Sequence, residues 1–127
     1  MDRSWPCRLY WDAMKTLRDI PLHERDRRAI EAAAHLLREK FPVERVVLFG
    51  SKSRAAGDEE SDIDLLVLTS RRLHWREEDE ITRALFRLEL AHDVIISTLI
   101  VPTADWTTGL FRVLPIHDEI QRDGVAA

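Results

Sequence analysis

The sequence predicts an α/β (α+β) domain, a small mixed β-sheet of three or more strands flanked by helices. Three observations carry that reading. Val43–Phe49 reads as a buried strand, and Asp62–Thr69 is nearly continuous in Ile, Leu and Val after its first residues, the pattern of a strand buried on both faces. Residues 23–40 and 77–91 repeat apolar side chains at helical spacing. Strand-like and helix-like runs alternate, which is how helices come to be layered on a sheet.

A chain of 127 residues suits one compact domain. The expected organisation is an aromatic-rich N-terminal extension over 1–22 and a single domain over 23–127. Hydrophobic residues make up 45% and charged residues 33%, a balance that argues against disorder. The net charge of −4 disfavours a protein that grips a nucleic-acid backbone, so no stable nucleic-acid binding is expected. Cys7 is the only cysteine, which rules out an intrachain disulfide or a zinc cluster. Asp2, Arg3, Arg8 and Asp12 interrupt any apolar core a leader peptide would need. The longest apolar run, Val94 to Val101, contains Ser97 and Thr98 and is too short to span a membrane. A soluble, cytoplasmic protein is the expectation.

In chain order, Tyr10, Met14 and Leu17 stand at helical spacing and predict a short helix, either packed on its own domain or serving as a partner-binding arm. From His23 to Lys40 the stripe is Ile30, Ala34, Leu37 and Phe41, with Pro42 just past the end. Val43–Phe49 is the first strand and ends at Gly50. A short polar helix, Ser51 to Gly57, leads to an acidic turn and the second strand, Asp62–Thr69. A helix over Glu77–Ala91 presents Ile81, Ala84, Leu85 and Leu88, and its first acids, Glu77 to Glu80, suit the positive end of its dipole. The third strand is expected over Asp93–Val101, closed by Pro102. One or two short helices carrying Trp106, Leu110, Phe111, Ile116 and Ile120 precede a small tail.

The most informative stretch is Ser61-Asp62-Ile63-Asp64-Leu65-Leu66-Val67. Side chains two apart on a strand share a face, with about 6.6 Å of rise between them. Two carboxylates close together in a dry setting repel unless a cation sits between them. Mg²⁺ prefers carboxylate, water and phosphate oxygens, which such a strand end can supply. The second and third strands are joined through a helix and so are expected to be parallel, with their N-terminal ends adjacent. Asp93 would then open the strand beside Asp62 and Asp64, three acids would meet on one rim, and two metal ions could clamp a phosphoryl displacement. Singly, each acid reads equally well as a turn, strand-surface or helix-end polar residue.

Phe49-Gly50-Ser51 ends a strand and begins a helical turn. Unpaired N–H groups at such a start favour anions, Gly50 permits close approach, and Ser51 adds a hydroxyl. The glycine and spacing of a P-loop are missing, although Lys52-Ser53 is present. Alone, Gly-Ser is a turn; followed by Asp-x-Asp at the next strand, it reads as a phosphate cradle facing metal ligands.

Gly50-Ser51, Arg54, Gly57 and Ser61-Asp62-Ile63-Asp64-Leu65 resemble the signature of the DNA polymerase beta-like nucleotidyltransferases, and among them the minimal nucleotidyltransferases of bacteria and archaea. The ending Ile120-Gln121-Arg122-Asp123-Gly124 is similar to the Arg-Glu-Gly close of that group. The resemblance implies that Gly50 and Ser51 hold triphosphate oxygens and that Asp62 and Asp64 bind the metals. It implies too that Asp93 ligates one metal and helps deprotonate an acceptor hydroxyl. The implied donor is ATP or another nucleoside triphosphate, with two Mg²⁺ ions. Many minimal members are antitoxins paired with a small helical protein of the HEPN type, to which they transfer AMP, so such a partner is expected here; a homo-oligomer is compatible with the sequence.

Arg54 reads evenly as a phosphate contact or a solubilising helix residue. Lys52 is expected to be solvated, His92 structural, and Trp106 and Phe111 core or partner surface. The alternative functions are a small-molecule nucleotidyltransferase acting on an aminoglycoside-like alcohol and a non-catalytic docking antitoxin.

Overall fold

The computed structural model describes Trp11, residues 13–54 and residues 61–127. Strand β1 (Lys15–Thr16) leads through a 3-10 turn at Leu17–Asp19 to helix α1 (Glu24–Lys40). Strand β2 (Val43–Phe49), a second 3-10 turn at Ser51–Arg54 and strand β3 (Ile63–Thr69) follow. Helix α2 (Trp75–His92), strand β4 (Ile96–Pro102), helix α3 (Thr103–Thr107), a third 3-10 turn at Leu110–Val113, helix α4 (Pro115–Asp123) and strand β5 (Val125–Ala126) complete the chain. The sheet has five strands in the order β1-β5-β2-β3-β4. β2 is antiparallel to β3 and β5, whereas β3 and β4 are parallel, as their helical crossover requires.

Alternation along the central strands divides the core in two. Val46, Leu48, Ile63, Leu65 and Val67 face α1 and α2 and meet Ile30, Ala34, Leu37, Ile81 and Leu85. Val47, Leu66, Leu68 and Val101 face the other way and meet Trp11, Trp106 and Ile120 of α4. Trp106 is therefore core. β3 is covered on both sides, which is why its sequence is continuously apolar after Asp64.

Both long helices start on a histidine: the Nδ1 of His23 accepts the Arg25 N–H at 3.1 Å, and that of His74 accepts the Arg76 N–H at 3.1 Å. Glu77 returns a bond to the His74 N–H at 2.9 Å and closes a capping box, so α2 begins two residues before the acids that suggested its start.

Three expectations are corrected. Asp93 does not open the third strand; it caps the C-terminus of α2 in the left-handed conformation, φ 56° and ψ 50°, and β4 begins only at Ile96. The small tail forms a strand that was not anticipated: Val125 and Ala126 pair with Leu48 and Val47 and, on their far side, with Lys15 and Thr16. Leu17 lies in a 3-10 turn rather than an α-helix, while Tyr10 and the rest of the aromatic segment before Trp11 fall outside the described residues. Gly57 and the acidic turn before Ser61 also fall outside them.

Candidate active site

The site lies where β2 ends and β3 begins. Antiparallel pairing sets Phe49 opposite Asp64, and parallel pairing sets Ser97 opposite Asp64 on the other side. Asp64 belongs to the face of Leu66 and Leu68, so it opens onto the side of the sheet covered by α4. Asp62 stands two residues earlier, just ahead of β3 and more exposed, close enough for its charge to bear on Asp64.

Gly50 follows β2 directly with φ +76°, a region L-residues rarely adopt. A Cβ at this position would overlap the carboxylate of Asp64. The backbone at Gly50 thus passes as close to Asp64 as a chain can. The turn beyond it is tied back on itself: the Ser53 N–H and Oγ both donate to the Gly50 carbonyl, at 3.2 and 2.7 Å. Ser51 is half-buried at the head of that turn.

Burial, and then the charges of Asp62 and Glu119, push the Asp64 carboxyl above its ordinary range. Three negative groups therefore bear on one half-buried point, which disfavours charge on Asp64 in the absence of a counter-ion. The donor set, two carboxylates beside a backbone with no side chain, fits a hard divalent cation carrying phosphate oxygens. Asp62 and Asp64 are the residues that would hold Mg²⁺.

Arg54 ends the turn and is held by α4: its Nη1 donates to Glu119 Oε1 at 3.2 Å and lies 4.0 Å from Asp123 Oδ2. It remains 42% exposed, within reach of an incoming anion. Ser53 and Arg54 also form one wall of a cleft of about 540 Å³, whose other walls include Met14, Ile20, Arg122 and Asp123.

The expected meeting of three acids is not formed. Asp93 is 97% exposed, and its carboxylate lies 3.9 Å from Arg25 of α1, the helix on the opposite face of the sheet from Asp64. No three acidic, histidine or cysteine side chains are gathered as a metal-holding group among the described residues. The register explains this: Asp93 precedes the partner of Ile63 by three residues, and the left-handed cap turns it away before pairing begins. Lys52 is a second correction. Its ammonium is 3% exposed rather than solvated and donates to Asp26 Oδ2 at 2.7 Å.

Asp26 and Glu119 were not anticipated. A signal for Asp26 was present, since it stands four residues before Ile30 in the apolar stripe of α1, where a carboxylate needs a buried partner. Glu119 and Asp123 are four apart on α4 and so share the face turned to Arg54.

The family model "Polymerase beta, Nucleotidyltransferase" matches residues 31–106, a span that contains the glycine turn, both strands of the site and Asp62 and Asp64. The chain belongs to this nucleotidyltransferase family. It is 34% identical over 86 residues to the "Putative protein adenylyltransferase MJ0141" of Methanocaldococcus jannaschii, covering 68% of this chain and 80% of that one. Among solved structures it resembles the crystal structure of a toxin-antitoxin with AMP-PNP, with TM-score 0.53, 20% identity and coverage of 82% of this chain and 72% of that one. A point mutant of the toxin-antitoxin MntA-HpeT gives TM-score 0.53 and 23% identity, with coverage of 84% and 72%. The crystal structure of "a putative nucleotidyltransferase from Sulfolobus solfataricus" gives TM-score 0.50 and 20% identity, with coverage of 81% and 82%. These likenesses establish the nucleotidyltransferase fold, and no helix among the described residues is long and apolar enough to cross a membrane.

Proposed function

We propose that this chain transfers a nucleoside monophosphate, AMP from ATP, to a hydroxyl of a partner protein, and that it acts as the antitoxin that modifies a HEPN-type toxin. The observation that carries the chemistry is the Asp62–Asp64 pair at the head of β3, with the side-chain-free backbone of Gly50 against it. Support for the acceptor class comes from the relative in Methanocaldococcus jannaschii, which is named "Putative protein adenylyltransferase MJ0141", and from structural neighbours whose crystal structures are of toxin-antitoxins.

In this reading Gly50 and Ser51 receive the β- and γ-phosphates, and Arg54 swings from Glu119 towards them. Asp62 and Asp64 would hold Mg²⁺, which when bound would supply positive charge against the triphosphate oxygens. The acceptor oxygen forms a bond to the α-phosphorus, and the bond from that phosphorus to the bridging oxygen of the β-phosphate breaks. Pyrophosphate leaves with the electron pair, and the hydroxyl proton passes to a carboxylate of the site or to water. For Asp93 to take part as ligand and proton acceptor, its carboxylate must leave Arg25 and cross towards the Asp64 face.

The test is transfer from α-labelled ATP to the co-expressed product of a neighbouring gene. Labelling that requires Mg²⁺ and is lost in Asp64→Asn is expected. Label on a small alcohol with no protein acceptor would replace the acceptor class. Neutralisation of the partner by Asp64→Asn as complete as by the parent would overturn the enzymatic reading.

A further inference from the structure

A lysine in a Gly-Ser-Lys-Ser turn invites the reading that it binds phosphate, and the structure points elsewhere. Lys52 Nζ is 2.7 Å from Asp26 Oδ2, and the two side chains are 3% and 4% exposed. An incoming triphosphate cannot reach that ammonium without opening the core between the turn and α1. The pair spans 26 residues of sequence and joins the turn after β2 to the first turn of α1.

The turn is thereby fastened from both sides of the sheet. Lys52 ties it to α1 on one face, Arg54 ties it to α4 on the other, and Ser53 closes it onto the Gly50 carbonyl. Such fastening matters because the backbone of Gly50 packs against Asp64 with no room for a side chain between them, and a shift of a few tenths of an ångström there changes the gap in which phosphate and cation must fit. A buried ion pair is an inefficient way to hold a fold, since apolar residues of similar volume serve as well or better. What an ion pair adds is direction: one donor and one acceptor fix the turn in a single geometry, where two apolar surfaces would let it slide.

We propose that Lys52 and Asp26 are positioning residues of the triphosphate site, their buried pair holding the Gly50–Arg54 turn at the spacing from Asp62 and Asp64 that nucleotide binding requires. This role rests on the nucleotide reading given above. Arg25, the neighbour of Asp26, lies 3.8 Å from the other Asp26 oxygen and 3.9 Å from Asp93, so the same turn of α1 also touches the end of α2.

The test uses the full chain and an α,β-methylene analogue of ATP with Mg²⁺. Lys52→Met and Asp26→Asn each leave a buried charge alone and destabilise the fold, so the decisive protein is Lys52→Met/Asp26→Leu, which removes both charges. Dissociation constants are measured by calorimetry at a temperature where circular dichroism shows parent and variant folded. Exchange of the Ser53 amide is followed in the nucleotide-free proteins. The expected result is a double variant that recovers most of the stability the single changes lose, binds the analogue at least tenfold more weakly than the parent and exchanges Ser53 faster, with Lys52→Arg in between. A folded double variant with the affinity of the parent overturns the positioning role and leaves a structural pair. A parent that binds no analogue overturns the nucleotide reading, and this role with it.

Discussion

At Gly50 a methyl group would have to share space with the Asp64 carboxylate while the backbone stayed at φ +76°. Gly50→Ala is therefore expected to cost about 1–2 kcal/mol from the backbone alone, and to abolish transfer because the turn must move off Asp64. Chemical denaturation and the labelling assay read the two effects separately. Asp64 carries the opposite balance. Its carboxyl is held above the ordinary range by burial and by Asp62 and Glu119, so its charge opposes folding when no cation is present. Asp64→Asn in chelator at neutral pH is expected to melt at or above the parent temperature while showing no transfer; a lower melting point would contradict the crowding of charge described here. Asp93, exposed beside Arg25, is expected to matter less. Asp93→Asn should leave measurable transfer where Asp62→Asn leaves none, and equal losses would mean that Asp93 crosses to the site in the working complex.

At the scale of the element, two groups give helices a pH dependence. Arg71 and Glu77 form a two-point ion pair at the start of α2, at 2.9 and 2.7 Å, and with the bond to the His74 N–H they hold the Glu77 carboxyl down to about 2. An acid with a depressed folded value contributes stability above its unfolded value, and loses it as pH falls through the folded one. The cap of α2 is thus expected to weaken between about pH 4.5 and pH 2, and Glu77→Gln should remove that part of the titration. His117 lies in the first turn of α4, buried and 4.6 Å from the Trp106 ring, and burial holds it below its ordinary 6.5. The unfolded chain takes the proton first, so stability supplied by neutral His117 is present above about pH 6.5 and declines as pH falls below it. Replacing His117 with Gln should flatten the stability profile between pH 7 and 5, as read from denaturant midpoints. The elements themselves were legible to different degrees. Val46–Phe49 and the body of β3 could be read because burial leaves each a short unbroken apolar run. β1 and β5 have two residues each, too few to carry a period; β5 exists because Val47 and Leu48 offer it a partner, and β1 because β5 in turn offers one to Lys15 and Thr16. Asp93 looked like the first residue of a strand because apolar residues follow it, but a left-handed cap leaves no mark of its own when the residue is not glycine or asparagine.

For the whole molecule, sequence spacing revealed which acids belong together when they lie on one strand and failed when they lie on different elements. Asp62 and Asp64 are two residues apart at the start of β3, and that spacing alone brings the charge of Asp62 to bear on Asp64. Glu119 reaches the same region from α4, and Asp26 reaches the glycine turn from α1; both placements depend on how the helices pack on the two faces of the sheet. Lys52 was misjudged for the same reason, since a lysine is usually solvated and only its buried partner makes it otherwise. Removing one member of that pair should cost about 3–5 kcal/mol, because the other charge stays buried, and removing both should restore most of it. A double-mutant cycle by urea denaturation measures this, and additive single effects would mean that the two residues do not act as a pair.

The claim on which the account turns is that the Asp62–Asp64 pair and the Gly50 turn together form a site for a magnesium-bound triphosphate. Thermal unfolding of the parent and of Asp62→Asn/Asp64→Asn, with ATP and Mg²⁺ singly and together, tests it most directly. The parent is expected to gain about 2.7 kcal/mol at a hundred times the dissociation constant, only when both are present, and the variant to gain nothing. Equal stabilisation of both proteins, or of neither, would contradict it.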